Sequence, residues 1–163
     1  MSEPIWDGVT RAETLGSATE RQHLADRARA YDWLSVLEIM SRHPELINST
    51  RPGGHSLYTV LHQAAHGGAL VSVVERLLAL GAWQTLRNAK GERAVDIARR
   101  CGHAHLAEVL EPVLRHSVPS DELEQMQEHF HSVIRGRVDD LVREHALRLP
   151  ELEPLLEMPE PKL

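Results

Sequence analysis

The amino-acid sequence predicts an all-α fold: a short stack of repeated helix pairs followed by a helical extension. Three observations predict it. One segment repeats itself at a fixed spacing, each copy carries apolar residues spaced for helical stripes, and aromatic side chains make up only 4% of the chain. With so few aromatics, the core of this 163-residue chain falls to Leu, Val, Ile and Ala, a mix that suits closely packed helices.

The repeat is read by aligning Thr59-Val60-Leu61-His62-Gln63-Ala64 with Arg93-Ala94-Val95-Asp96-Ile97-Ala98, which sets Gly68 opposite Gly102, 34 residues on. In both copies a short apolar segment runs to a glycine, and a second helical stretch follows. Its apolar residues stand at i, i+3, i+4, i+7 and i+8, which draws one broad stripe per helix. They are Leu70, Val73, Val74, Leu77 and Leu78 in one copy, and Leu106, Val109, Leu110, Val113 and Leu114 in the next.

A weaker copy lies upstream. Thr19-Glu20-Arg21-Gln22 reads as a capping box with Thr19 at the cap, leading a helix through Leu24, Ala25 and Ala28. Asp32 then caps a second helix with the stripe Trp33, Val36, Leu37 and Met40, stopped by Pro44. Leu24 to Leu61 spans 37 residues, and the added length falls in the turn-rich Thr50-Arg51-Pro52-Gly53-Gly54-His55-Ser56. Three units are the usual minimum for a stable stack.

These motifs resemble those of the ankyrin-repeat family. Thr59 to Ala64 matches its Thr-Pro-Leu-His-x-Ala hallmark with Val60 in place of proline, and Gly81-Ala82 matches its inter-unit Gly-Ala. Asn88-Ala89-Lys90-Gly91-Glu92-Arg93 is similar to its Asp-x-x-Gly-x-Thr turn, and Gly102-His103 to the start of its second helix. The resemblance implies a short ankyrin-type helical solenoid with turn or hairpin fingers over residues 19–116. Residues 1–18 are then an N-terminal tail and residues 117–163 a C-terminal helical extension. Two departures stand out. Tyr31 takes the place of the glycine between helices, which argues against a left-handed turn there. Pro112 ends the last repeat helix near Glu111.

Beyond Ser117 no further repeat is found. Val118-Pro119-Ser120-Asp121-Glu122 reads as a linker into a helix with acids in its first turn. The stripe Leu123, Met126, Phe130, Val133, Val138, Leu141 and Val142 predicts two helices broken near Gly136, or one bent there. It has two readings: a cap packed on Val109 and Leu110 at the open end of the stack, or a partner-binding or dimerisation arm. A further helical turn is expected between Pro150 and Glu157. The abrupt Met158-Pro159-Glu160-Pro161-Lys162-Leu163 ending points to a longer parent chain.

The formal net charge of −6 argues against nucleic-acid binding, and Arg135-Gly136-Arg137 is too short to count as a phosphate-binding patch. Its N-terminal residues lack the basic start and apolar run of a signal peptide, and no stretch reaches membrane-spanning length. The cytoplasm is the expected compartment. Cys101, the single cysteine, excludes an internal disulfide.

Eleven histidines invite a metal reading, and a metal-dependent hydrolase is one alternative function. His62 and His66 stand at i and i+4 as in zinc proteases, but Gln63 occupies the place of the general base. The resemblance implies instead that His62 hydrogen-bonds the neighbouring turn. On a regular helix, the imidazoles of His103 and His105, like those of His129 and His131, point about 200° apart and do not chelate one ion. Gly54-His55-Ser56-Leu57-Tyr58 lacks the closing glycine of a nucleophile elbow. No cofactor is expected, and no catalytic constellation rises above background.

The resemblance therefore implies a scaffold that binds another protein through a concave face, rather than an enzyme. An inhibitor or immunity-type protein that blocks a partner enzyme is a narrower alternative. Carried over by position, the expected partner-binding residues are Tyr58, His66, Trp83, Lys90, Glu92 and Arg100. Aromatics flanked by Arg and His are favoured at interface hot spots. For Tyr58 and Trp83 there is a second reading, in which they close the expanded turns. Neither the partner nor the oligomeric state is written in the sequence.

Overall fold

The computed structural model describes residues 18–144 and 147–159; the expected tail lies outside them except for Ala18. Among the described residues every regular element is a helix. These are α1 (Ala18–Arg29), α2 (Trp33–Arg42), α3 (Val60–Gly67), α4 (Val71–Ala79), α5 (Ala94–Arg100), α6 (Ala107–Leu110) and α7 (Ser120–Glu144). Short 3₁₀ turns at Pro44–Leu46 and Ala104–Leu106 lie between them, and a third at Glu153–Glu157 follows α7. None of the described helices is long and apolar enough to cross a membrane.

Local chemistry sets the helix starts. The Asp32 carboxylate accepts from the Ser35 amide at 3.2 Å and its hydroxyl at 2.7 Å, which satisfies an orphan donor of α2. At α3, Thr59 Oγ1 accepts from the His62 amide while His62 Nδ1 accepts from the Thr59 amide at 2.9 Å, a reciprocal cap. At α5 the Asp96 carboxylate accepts from the Arg93 amide at 2.9 Å.

The first helix of each pair ends in the same way. Asp32 N–H donates to Arg27 O, Ala69 N–H to Ala64 O and His103 N–H to Ala98 O, each closing a six-residue loop around a left-handed residue. That residue is Tyr31 (φ 57°), Gly68 (φ 63°) or Gly102 (φ 78°). Tyr31 thus takes the left-handed conformation that its side chain argues against, at a cost of about 1–2 kcal/mol.

Helix α1 packs on α3 and α3 on α5, while α4 packs on α6, so the three pairs follow one another in register. Ala28, Ala64, Ala65 and Ala98 are buried where the first helices meet, and their small side chains permit the close approach. Leu24, Val36, Met40, Leu61, Val74, Leu77, Val95, Ile97, Leu106 and Leu110 fill the core, with Leu78 and Val109 half-buried against it. Of the two repeat stripes, Val73, Val74, Leu77, Leu78, Leu106, Val109 and Leu110 lie in or against this cluster.

Several expectations are corrected. Thr19 lies inside α1 rather than at its cap. Leu70 is 71% exposed because it sits before α4 in extended backbone, which turns it off the stripe. Val113 and Leu114 are exposed because α6 stops at Leu110, two residues before Pro112. The break in α7 falls at Val138 (φ −139°, ψ 29°), two residues beyond Gly136.

The largest correction concerns the C-terminal segment. Met126 is 56% exposed and Val133 44%, so the α7 stripe does not pack on the third pair as a whole. The return segment after α7, in which Pro154 and Leu156 are buried, docks instead on the turn before α5 and on Arg115 and His116 after α6. Helix α7 grips this segment from its other side: His131 Nε2 donates to Pro150 O at 2.7 Å, and Leu152 N–H donates to Gln127 Oε1 at 2.9 Å.

Candidate functional site

Side chains from all three helix pairs converge on one exposed row. Tyr31 leaves the α1–α2 turn and its hydroxyl lies 2.7 Å from His66 Nδ1, in the last turn of α3, in a hydrogen bond. Tyr58, just before α3, sets its ring edge-on to His66 with centroids 6.2 Å apart, and tilted on His62 at 5.7 Å. The Arg100 guanidinium, at the end of α5, donates to Tyr58 Oη at 3.4 Å and to Glu92 Oε2 at 2.7 Å. Trp33 stacks on Tyr31 at 6.2 Å and extends the row.

Glycine makes the row possible. A Cβ on Gly67 would stand 2.5 Å from the Tyr31 ring, so only glycine lets that ring lie on α3. A Cβ on Gly68 would meet the His103 imidazole at 2.6 Å. His103 Nε2 donates to His66 O at 3.0 Å, which ties the third pair to the second just beside the row.

The charges are matched. Hydrogen bonds from Arg100 and then Asn88 hold the Glu92 carboxyl below its usual range, and the Glu92 bond in turn raises the Arg100 guanidinium. Asn88 Oδ1 accepts from the Lys90 and Glu92 amides, both at 2.9 Å, which shapes the turn that presents Glu92.

Of the six expected partner-binding residues, the structure brings together Tyr58, His66, Glu92 and Arg100. Lys90 is exposed at the turn tip, outside this cluster. Trp83 is corrected: it is 8% exposed, held where its amide donates to Asn48 Oδ1 at 2.9 Å, and it offers no surface to a partner. Its second reading, closure of a turn, fits this burial.

His62 and His66 are likewise divided. His62 is buried, its Nε2 donates to Leu86 O at 2.9 Å in the next turn, and burial lowers its pKa to about 4. Both of its ring nitrogens are engaged, whereas His66 is exposed. His103 and His105 are a second correction. His103 caps the 3₁₀ turn Ala104–Leu106 and His105 sits within it, rather than both riding an α-helix, so their rings lie 6.0 Å apart, yet their Nε2 atoms donate to His66 O and Ala69 O. Among the described residues no three His, Cys, Asp or Glu side chains gather as metal ligands.

Sequence reasoning missed Tyr31 as a surface group, whereas Trp33 packs partly against the core as its stripe predicts. Position in the repeat was the available signal, since Tyr31 falls in the same column as Gly68 and Gly102. The arrangement offers phenol, imidazole, guanidinium and carboxylate on an open surface. A cavity beside it, lined by Arg21, Leu24, Tyr58, Thr59 and Gln63, has a volume of about 30 Å³, room for a water. No family model matches the chain, and no curated protein matches it.

Proposed function

We propose that the chain is an ankyrin-type repeat protein that binds another protein through the row Tyr31, Tyr58, His66 and Arg100, with Glu92 at its edge. One observation carries the reading: three successive helix pairs each contribute a side chain to one exposed, hydrogen-bonded row of aromatics, imidazole and guanidinium. Such a mix supplies large contact area together with directional donors, the make-up of interface hot spots. The ankyrin assignment draws support from the identical endings of α1, α3 and α5 and from the His62 bond to Leu86 O. Rigid mounting favours binding as well, because Gly67 and His103 hold the row in place before any partner arrives.

The test is capture from native lysate with the unaltered chain and with the chain carrying Tyr58→Ala and Arg100→Ala. A partner retained by the first and lost by the second, at unchanged melting temperature, supports the reading. A partner retained equally by both refutes it.

A further inference from the structure

The return segment is bound to the turns that flank the third helix pair in the manner of a peptide ligand. Arg87 grips Glu153 with two donors, Nε at 2.9 Å and Nη2 at 3.2 Å, and Arg93 reaches the same carboxylate. Four residues on, the Glu157 carboxylate accepts from the backbone amides of Gln84 at 3.1 Å and Thr85 at 2.5 Å. Between these anchors Pro154 and Leu156 are buried. The Leu156 carbonyl accepts from the Arg115 and His116 amides at 2.8 and 3.2 Å, and His116 Nε2 donates to Met158 O at 3.1 Å.

This surface reads side chains. A guanidinium fork recognises a planar carboxylate with fixed geometry, and two adjacent amides recognise a second one at a set distance. A chain of another protein that carries the same groups makes the same bonds. The internal ligand is a single short 3₁₀ turn, and burial pushes its Glu157 carboxyl above the usual range, so that one anchor is seated at a desolvation cost.

We propose that Gln84, Thr85, Arg87, Arg93, Arg115 and His116 form a peptide-recognition site, filled here by residues 153–158 and fitted to an acidic peptide of another protein with the pattern Glu-Pro-Leu-Leu-Glu. The chain's own segment is then a displaceable occupant that raises the threshold for the outside peptide. This site is separate from the Tyr58–Arg100 row and stands or falls independently of it.

The probe is a fluorescein-labelled synthetic peptide with the sequence of residues 147–159, followed by fluorescence anisotropy. Its target is the full chain carrying Glu153→Ala and Glu157→Ala, which removes both internal anchors. Binding is expected to be at least about tenfold tighter than to the unaltered chain, whose own segment competes at an effective concentration in the millimolar range. Adding Arg87→Ala and Arg93→Ala to the target, or Glu153→Gln to the peptide, is expected to weaken binding at least about tenfold.

Hydrogen exchange on the unaltered chain keeps the test independent of how the variants fold. Millimolar unlabelled peptide is expected to speed exchange at the Leu155 and Met158 amides while Gln84 and Thr85 stay protected. A folded double variant that ignores the peptide, or an unaltered chain whose Leu155 and Met158 amides do not respond, overturns the proposal and leaves the segment a permanent cap.

Discussion

Tyr31 and His66 are joined by a 2.7 Å hydrogen bond across the boundary between the first and second helix pairs, with their rings 6.3 Å apart. The bond is made by a residue in left-handed backbone, so the sequence retains a strained tyrosine where glycine would relax. The ring's contact with Gly67 and its bond to His66 offset that strain. Tyr31→Phe is expected to lower stability by about 0.5–1.5 kcal/mol in urea denaturation, the net worth of one hydrogen bond. Tyr31→Asn, which tolerates the same backbone but loses the ring, is expected to cost more. Equal stability of all three chains would show that the ring does not join the two pairs.

The register of the stack is tested by two leucines on one sequence stripe. Leu77 is fully buried, and Leu77→Ala is expected to cost about 2–5 kcal/mol. Leu70 lies outside the helix on exposed backbone, and Leu70→Ala is expected to stay within about 0.5 kcal/mol. Similar losses at both positions would contradict the burial described for α4.

Acid sensitivity follows from His62. Burial lowers its pKa from 6.5 to about 4, so the native imidazole refuses a proton that the unfolded chain accepts. Its contribution is therefore complete above about pH 6.5 and is lost as pH falls toward 4. That window corresponds to about 3 kcal/mol. Glu92, Asp26 and Asp32, each held below its usual pKa, add loss at still lower pH. Glu157, raised by burial, acts in the opposite sense: its contribution is complete below the usual carboxyl pKa and falls as pH rises. His62→Gln is expected to be less stable at pH 7.5 and to show a flatter stability profile between pH 7.5 and 5. An unchanged slope would mean that another group carries the acid loss.

Much of the core was legible because it rests on period alone. A 34-residue self-similarity and a helical stripe assign Val74, Leu77, Val95 and Leu106 to the interior without knowledge of distant contacts. Leu70, Val113 and Leu114 were misplaced because periodicity does not mark where a helix begins or ends by one residue. The row was legible at Tyr58, His66, Glu92 and Arg100, whose places come from the repeat register. Trp83 carried two readings, surface contact and turn closure, because its neighbour Asn48 is 35 residues away and nothing local announces that contact. The helical turn of the return segment was legible, but its docking was not, for the same reason: Glu153 finds Arg87 and Glu157 finds Thr85 across more than 60 residues of chain.

The central claim, that Tyr58 and Arg100 belong to a protein-binding surface, is tested most directly by titration calorimetry against the captured partner. Tyr58→Ala and Arg100→Ala are each expected to weaken binding by about 1–3 kcal/mol with little change in melting temperature, while Lys90→Ala has a smaller effect. Affinity left intact by both, with melting temperature lowered instead, would contradict the account and return these residues to a purely structural role.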